Sequence, residues 1–140
     1  MSTVVPRSIK LRRQARELEV QWPDRDADHL PCEYLRVFSP SAELRGHGLP
    51  EPMLLGGKRE VAITRVEPVG RYAVRLVFDD GHDSGIYSWA VLRELADDYE
   101  RNWSRYLHRL DEHGMSRDRD VVKLSALVGH YTPPSRPGKD

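Results

Sequence analysis

Six histidines (His29, His47, His82, His108, His113 and His130) and a single cysteine, Cys32, are the side chains best suited to hold a metal. Zinc sites draw on closely spaced Cys and His pairs, because four ligands must converge on one tetrahedral centre. No Cys-x-x-Cys occurs. A non-haem iron centre needs two histidines and a carboxylate, seeded by His-x-Asp or His-x-Glu, and none of the six has either. His82 stands apart, in a turn beside Asp79, Asp80 and Asp83. Its simplest role is structural, bonding a turn carbonyl. His108 is expected on the solvated side of a helix, and His113 near a helix C-terminus, where a cation is favoured.

Nucleophilic chemistry has no better footing. Cys32 follows Pro31 in a segment predicted to be a buried helical turn, and buried thiols are usually inert. No Gly-x-Ser-x-Gly elbow, phosphate loop or dinucleotide fingerprint is present; Gly46-His47-Gly48 and Gly56-Gly57-Lys58 are too short for either glycine-rich motif. Arg12, Arg13 and Arg16 could suggest a phosphate patch. Glu17, Glu19, Asp24 and Asp26 lie close by, so a solvated hairpin face is the better reading. No catalytic residue and no cofactor is expected.

The chain has 140 residues, the size of one ordinary domain, with 39% hydrophobic and 31% charged residues. Lys+Arg and Asp+Glu both number 22, so the basic excess of a dedicated nucleic-acid or anionic-membrane binder is missing. A lone cysteine rules out an internal disulfide framework and suits a reducing compartment. Met1–Lys10 lacks a signal-peptide core, and no window approaches the ~20 apolar residues of a spanning helix. The expectation is a cytoplasmic protein that binds neither nucleic acid nor membrane.

Several elements must position these groups. Ile9 and Leu11, then Leu18, Val20 and Trp22, alternate with polar residues and predict a hairpin around Arg13–Arg16. Pro31 starts a short helical turn with Tyr34, Leu35 and Phe38 facing inward. Ser39–Lys58 is broken by repeated Pro and Gly and reads as a long loop, of a kind more often functional or mobile than incidental. Val61–Val66 predicts a strand, paired antiparallel through a Glu67–Arg71 turn with Tyr72–Phe78, where Tyr72, Val74, Leu76 and Phe78 share one face. Asp80-Gly81 marks a tight turn, and Gly85 a second flexible point before Ile86-Tyr87.

From a Ser88 N-cap, Trp89, Leu92, Ala96, Tyr99, Trp103, Tyr106 and Leu110 keep three–four spacing up to His113-Gly114. That predicts one long helix over 88–113, packed across a sheet; a seam between two copies is the alternative. Residues 1–114 form the expected domain, with a core over about 8–95. Residues 115–140 form a C-terminal extension, with a short amphipathic segment at Val121–Val128 and a disordered Pro-rich end.

Glu67-Pro68-Val69-Gly70, Tyr72-Ala73-Val74 and Asp80-Gly81-His82-Asp83-Ser84-Gly85-Ile86-Tyr87-Ser88-Trp89 closely resemble the gamma-butyrobetaine hydroxylase-like N-terminal domain family, a former domain of unknown function. Leu35-Arg36-Val37-Phe38-Ser39-Pro40-Ser41-Ala42-Glu43 resembles its second signature. The resemblance spans roughly Ile9–Leu95 and is carried most specifically by Gly81, His82, Ser84, Gly85, Ile86, Tyr87 and Trp89. It implies a small α+β domain with mostly antiparallel sheets, a short helix and a long C-terminal helix. In carnitine-biosynthesis hydroxylases such a domain precedes the oxygenase domain, and related copies accompany iron–sulfur carrier ATPases. Metal-binding members hold one zinc through a Cys-Pro-Cys-x-x-Cys run and the histidine of Asp-Gly-His. Here those cysteine positions match Ser39, Ser41 and Leu44, leaving only His82. Hydroxyls and a leucine cannot replace thiolates, so the zinc site is expected to be lost, with Ser39 and Ser41 hydrogen bonding near His82 instead.

The resulting expectation is a non-catalytic accessory domain acting on an unknown protein partner, as a monomer or weak homodimer. A metal-handling role linked to iron–sulfur assembly, or service as an oxygenase accessory subunit, is the alternative.

Overall fold

The computed structural model describes residues 4–40 and 54–119. Its fold is α+β, as the sequence predicts, with two antiparallel three-stranded sheets and three helices among the described residues. The first sheet runs in order β1 (Ser8–Arg12), β2 (Glu17–Gln21) and β3 (Asp28–Pro31). The predicted hairpin is present, with Ile9 opposite Val20 and Leu11 opposite Leu18. Its bend takes Arg16 to φ +54, and the Cys32 N–H then donates to the Arg16 carbonyl at 2.9 Å. Strand β3 was not expected. Its four residues show no alternation, and its pairing with β2 places Leu30 opposite Leu18.

Helix α1 (Cys32–Val37) follows at once, with Pro31 at the N-cap and every residue of the helix buried. The second sheet comprises β4 (Ile63–Val69), β5 (Ala73–Phe78) and β6 (Gly85–Ser88), with β5 central. Strand β4 extends through Pro68, further than predicted, and the turn shifts to residues 70–72. An edge strand tolerates proline because one row of its backbone donors is unpaired. Tyr72 therefore sits in the turn, 75% exposed, and only Val74, Leu76 and Phe78 of the predicted face enter the core.

The main core lies between both sheets, α1 and α2 (Trp89–Asp97), and includes Leu18, Val20, Leu30, Tyr34, Leu35, Leu76, Tyr87 and Leu92. Ser88 caps α2 as predicted, accepting from the Val91 N–H at 3.1 Å. The predicted long helix is divided. Asp98, at φ −101 and ψ 16, leaves helical geometry, and α3 (Tyr99–Glu112) continues beyond it. The division lets one stripe serve two clusters. Leu92 and Leu95 face the main core, while Tyr106 and Leu110 join Val37, Phe38, Leu54, Leu55, Trp103 and Met115 in a smaller one. The Tyr34 hydroxyl spans the break, donating to the Leu95 carbonyl at 2.6 Å and accepting from Asn102 at 3.0 Å.

Packing continues past Gly114, through Asp118. The predicted Val121–Val128 segment, the Pro-rich end and most of the predicted Ser39–Lys58 loop lie outside the described residues. Among those described, no helix is long and apolar enough to cross a membrane.

Leu76, fully buried on the central strand, and Tyr72, exposed in the turn, should respond oppositely to truncation. Leu76→Ala is expected to lower unfolding free energy by about 2–5 kcal/mol in urea titration. Tyr72→Ala should stay within about 0.5 kcal/mol of wild type.

Candidate functional site

The signature residues meet where the β5–β6 turn touches the end of α1. Phe78 ends β5, and its N–H donates to the His82 carbonyl at 2.9 Å, closing a turn in which Gly81 takes φ +94. That conformation favours glycine. Asp80 anchors the turn from within, its Oδ1 accepting from the His82 N–H at 3.1 Å. Its Oδ2 accepts from Arg36 Nε at 2.8 Å and from Lys58 Nζ at 2.6 Å. Burial works against the Asp80 carboxylate, but the hydrogen bonds from Lys58, the His82 N–H and Arg36 outweigh it and hold its pKa at about 2.

His82 turns its ring the other way, with Nε2 lying 3.0 Å from Ser39 Oγ. Ser39 is fully buried, at the exit of α1. Behind it the buried Tyr87 hydroxyl donates to the Leu35 carbonyl, and burial pushes that hydroxyl's pKa up. Gly85 is needed for its size rather than its flexibility. A Cβ there would stand 2.8 Å from Ser39 Oγ and 2.9 Å from Tyr87 Cε1, too close for either to remain in place. Ser39, His82, Gly85 and Tyr87 thus form one packed cross-link between α1 and the second sheet.

Ser39, His82 and Asp80 have the residue types of a hydrolytic triad but not its wiring. The Asp80 carboxylate bonds the backbone N–H of His82, not its ring, so it does not orient the imidazole as a base. Cys32 is equally unsuited to attack, since burial raises its thiol pKa.

The other histidines stand apart. His29 pairs with Glu17 across the first sheet at 2.7 Å, His108 with Glu112 along α3 at 3.2 Å, and His113 Nδ1 lies 2.9 Å from the Arg109 carbonyl. His47, His130, Ser41 and Leu44 lie outside the described residues. Among the described residues no three His, Cys, Asp or Glu side chains gather where they could hold a metal ion.

The remaining motif residues play separate parts. Ser84 is exposed, Ile86 is 48% exposed on the outer face of β6, and Trp89 Nε1 donates to the Arg71 carbonyl at 2.7 Å. Arg13 and Arg16, possible phosphate ligands by sequence, donate instead to the Thr64 carbonyl and to Glu60. Sequence reasoning missed Arg36 and Lys58 as partners of Asp80. Only their charge could have signalled them, and Lys58 is 22 residues away from Asp80 along the chain.

Beside the turn, Gly57, Lys58, Glu60, Val61, Asp79, Asp80 and Arg119 line an open cleft of about 500 Å³. Its charges are mixed, and the Lys58–Asp80 pair already satisfies part of them.

Two variants test this geometry. Gly85→Ala should destabilise the fold by about 1–3 kcal/mol, the usual range for overpacking, as measured by denaturant titration. Asp80 has a folded pKa below the unfolded value of 3.8, so its stabilisation is present above that value and lost as pH falls toward about 2. Wild type should therefore lose more stability than Asp80→Asn between pH 4 and pH 2.

Residues 9–93 match the family model described as gamma-butyrobetaine hydroxylase-like, N-terminal. Two solution structures determined by NMR are similar. One is 44% identical, with a TM-score of 0.74, covering 85% of this chain and 94% of that one. The other is 47% identical, with a TM-score of 0.73, covering 83% and 86%. A crystal structure from Acidithiobacillus ferrooxidans, of a protein of unknown function in the DUF971 family, is 38% identical with a TM-score of 0.56 and covers 65% and 91%. No curated protein matches. The chain belongs to the gamma-butyrobetaine hydroxylase-like N-terminal domain family.

Proposed function

We propose that this chain is a non-catalytic accessory domain that acts by binding another protein in the cytoplasm. One observation carries the reading: the polar groups of the family signature are engaged in holding the fold together. Asp80 gathers donors from α1, from Lys58 and from its own turn, while His82 lies against a buried serine. A catalytic triad aims its carboxylate at the imidazole ring, whereas Asp80 accepts from the His82 backbone N–H. The position that a zinc-binding relative would fill with a thiolate holds Ser39, whose neutral hydroxyl is a poor ligand for zinc but a good hydrogen-bond partner for imidazole.

The test combines metal content with stability. Native mass spectrometry of protein purified without chelator should give the bare chain mass. His82→Ala should lower stability by about 1–2 kcal/mol, as expected for a part-buried hydrogen bond, without changing metal content. Stoichiometric zinc or iron in the wild type, lost in His82→Ala, would overturn the reading in favour of a metal-handling protein.

A further inference from the structure

Ile86 belongs to the signature block yet has no place in the core; it stands 48% exposed on β6, an edge strand of the second sheet. Its backbone is as open as its side chain. Trp89 N–H donates to the Tyr72 carbonyl at 2.9 Å, so by antiparallel alternation Tyr87 and Gly85 also turn their N–H groups toward β5. Ile86 and Ser88 alternate with them and direct their N–H groups outward. Among the described residues no backbone group bonds Ile86 on that side. The opposite edge of the sheet is closed to pairing, because β4 shifts register between Ile63 and Arg65 and carries Pro68. β6 has neither device, and Gly85–Ser88 contains no charged residue. Arg75, facing Ile86 from β5, is held by Glu67 and the Asp83 carbonyl, so it leaves no unpaired charge against an approaching strand.

We propose that β6 pairs antiparallel with β6 of a second copy, Ile86 opposite Ile86, so that the two second sheets join across a twofold axis. The outward groups set this register, since it lets the two Ile86 residues exchange N–H···O=C bonds in both directions. Their side chains then share one sheet face, with Cα atoms about 5.5 Å apart, and cover each other. Charge singles out a second copy as the occupant. Helix α2 has no acidic residue in its first turn, so no carboxylate there answers its N-terminal dipole. Asp83, with an exposed carboxylate, and Trp89, the first residue of α2, are equally distant from Ile86 along the chain. The symmetric register therefore brings Asp83 of each copy level with the start of the other copy's α2. The apolar stripe of α2 and α3, which by sequence could have formed a seam between copies, is largely spent within the chain on its two clusters.

Sedimentation equilibrium on the full chain tests the pairing. Wild type should populate a dimer by about 1 mM, and its Ile86 amide should exchange with deuterium more slowly as protein concentration rises. Ile86→Lys sets like charges opposite each other and should raise the dimer dissociation constant at least about tenfold, with the melting temperature of dilute protein unchanged. Asp83→Asn should raise it about threefold or more at low salt, because each dimer loses the contact twice. Wild type that stays monomeric at about 1 mM overturns the proposal. So does a dimer that Ile86→Lys leaves intact, or one lost instead in Leu107→Lys on the exposed side of α3. If Ile86→Lys does not fold, the wild-type exchange measurement decides, and an Ile86 amide indifferent to concentration overturns the pairing. A strand of another protein seated on β6 of a monomeric chain would replace the second copy and overturn it equally.

Discussion

The Asp80 carboxylate is the contact on which the arrangement of the second half depends. It draws together the end of α1 through Arg36, the segment before β4 through Lys58, and its own turn through the His82 N–H. A carboxylate with 19% of its side-chain surface exposed is stable in its charged form only if cations and N–H donors replace the lost water. Three donors do so here, from positions widely separated in the chain. The geometry of the turn, the placement of His82 against Ser39 and the tight seat of Gly85 all follow from that convergence.

The same logic of distant charges organises the far ends of the molecule. Arg93 grips Asp24 with two hydrogen bonds and stacks over Trp22, 4.7 Å from its centroid, joining α2 to the first sheet. Arg25 bridges Asp28 and Asp97 nearby. These pairs add to an apolar core shared by both sheets, so their contribution is less to raw stability than to fixing how the helices sit.

Much of this was legible in the sequence where a local rule applied. The Ile9–Leu11 and Leu18–Val20 alternation gave away the first hairpin, Ser88 marked the start of α2, and the Asp-Gly-His block marked the turn that carries the signature. What escaped has a common cause: it depends on partners far along the chain. Strand β3 exists because β2 offers it a ladder, not because Asp28–Pro31 favours extension. Asp98 interrupts a helix whose three–four stripe is unbroken, because two hydrophobic clusters lie in different directions. Tyr72 continued the period of its strand, yet the turn ends one residue later than periodicity could reveal. For the site, the family resemblance implied that Ser39 and His82 belong near each other, but nothing in the sequence indicated that Arg36 and Lys58 converge on Asp80.

Pro68 also bears on how the protein behaves when crowded. A sheet's outermost strand is a template on which another chain can add itself, the elementary step of aggregation. On β4 that row of donors is interrupted at Pro68, which has no N–H, and flanked by the charged pair Arg65 and Glu67. An invading strand would meet a missing rung and two charges to desolvate within a few residues. The kink in the expected pattern thus protects the solubility of the folded chain.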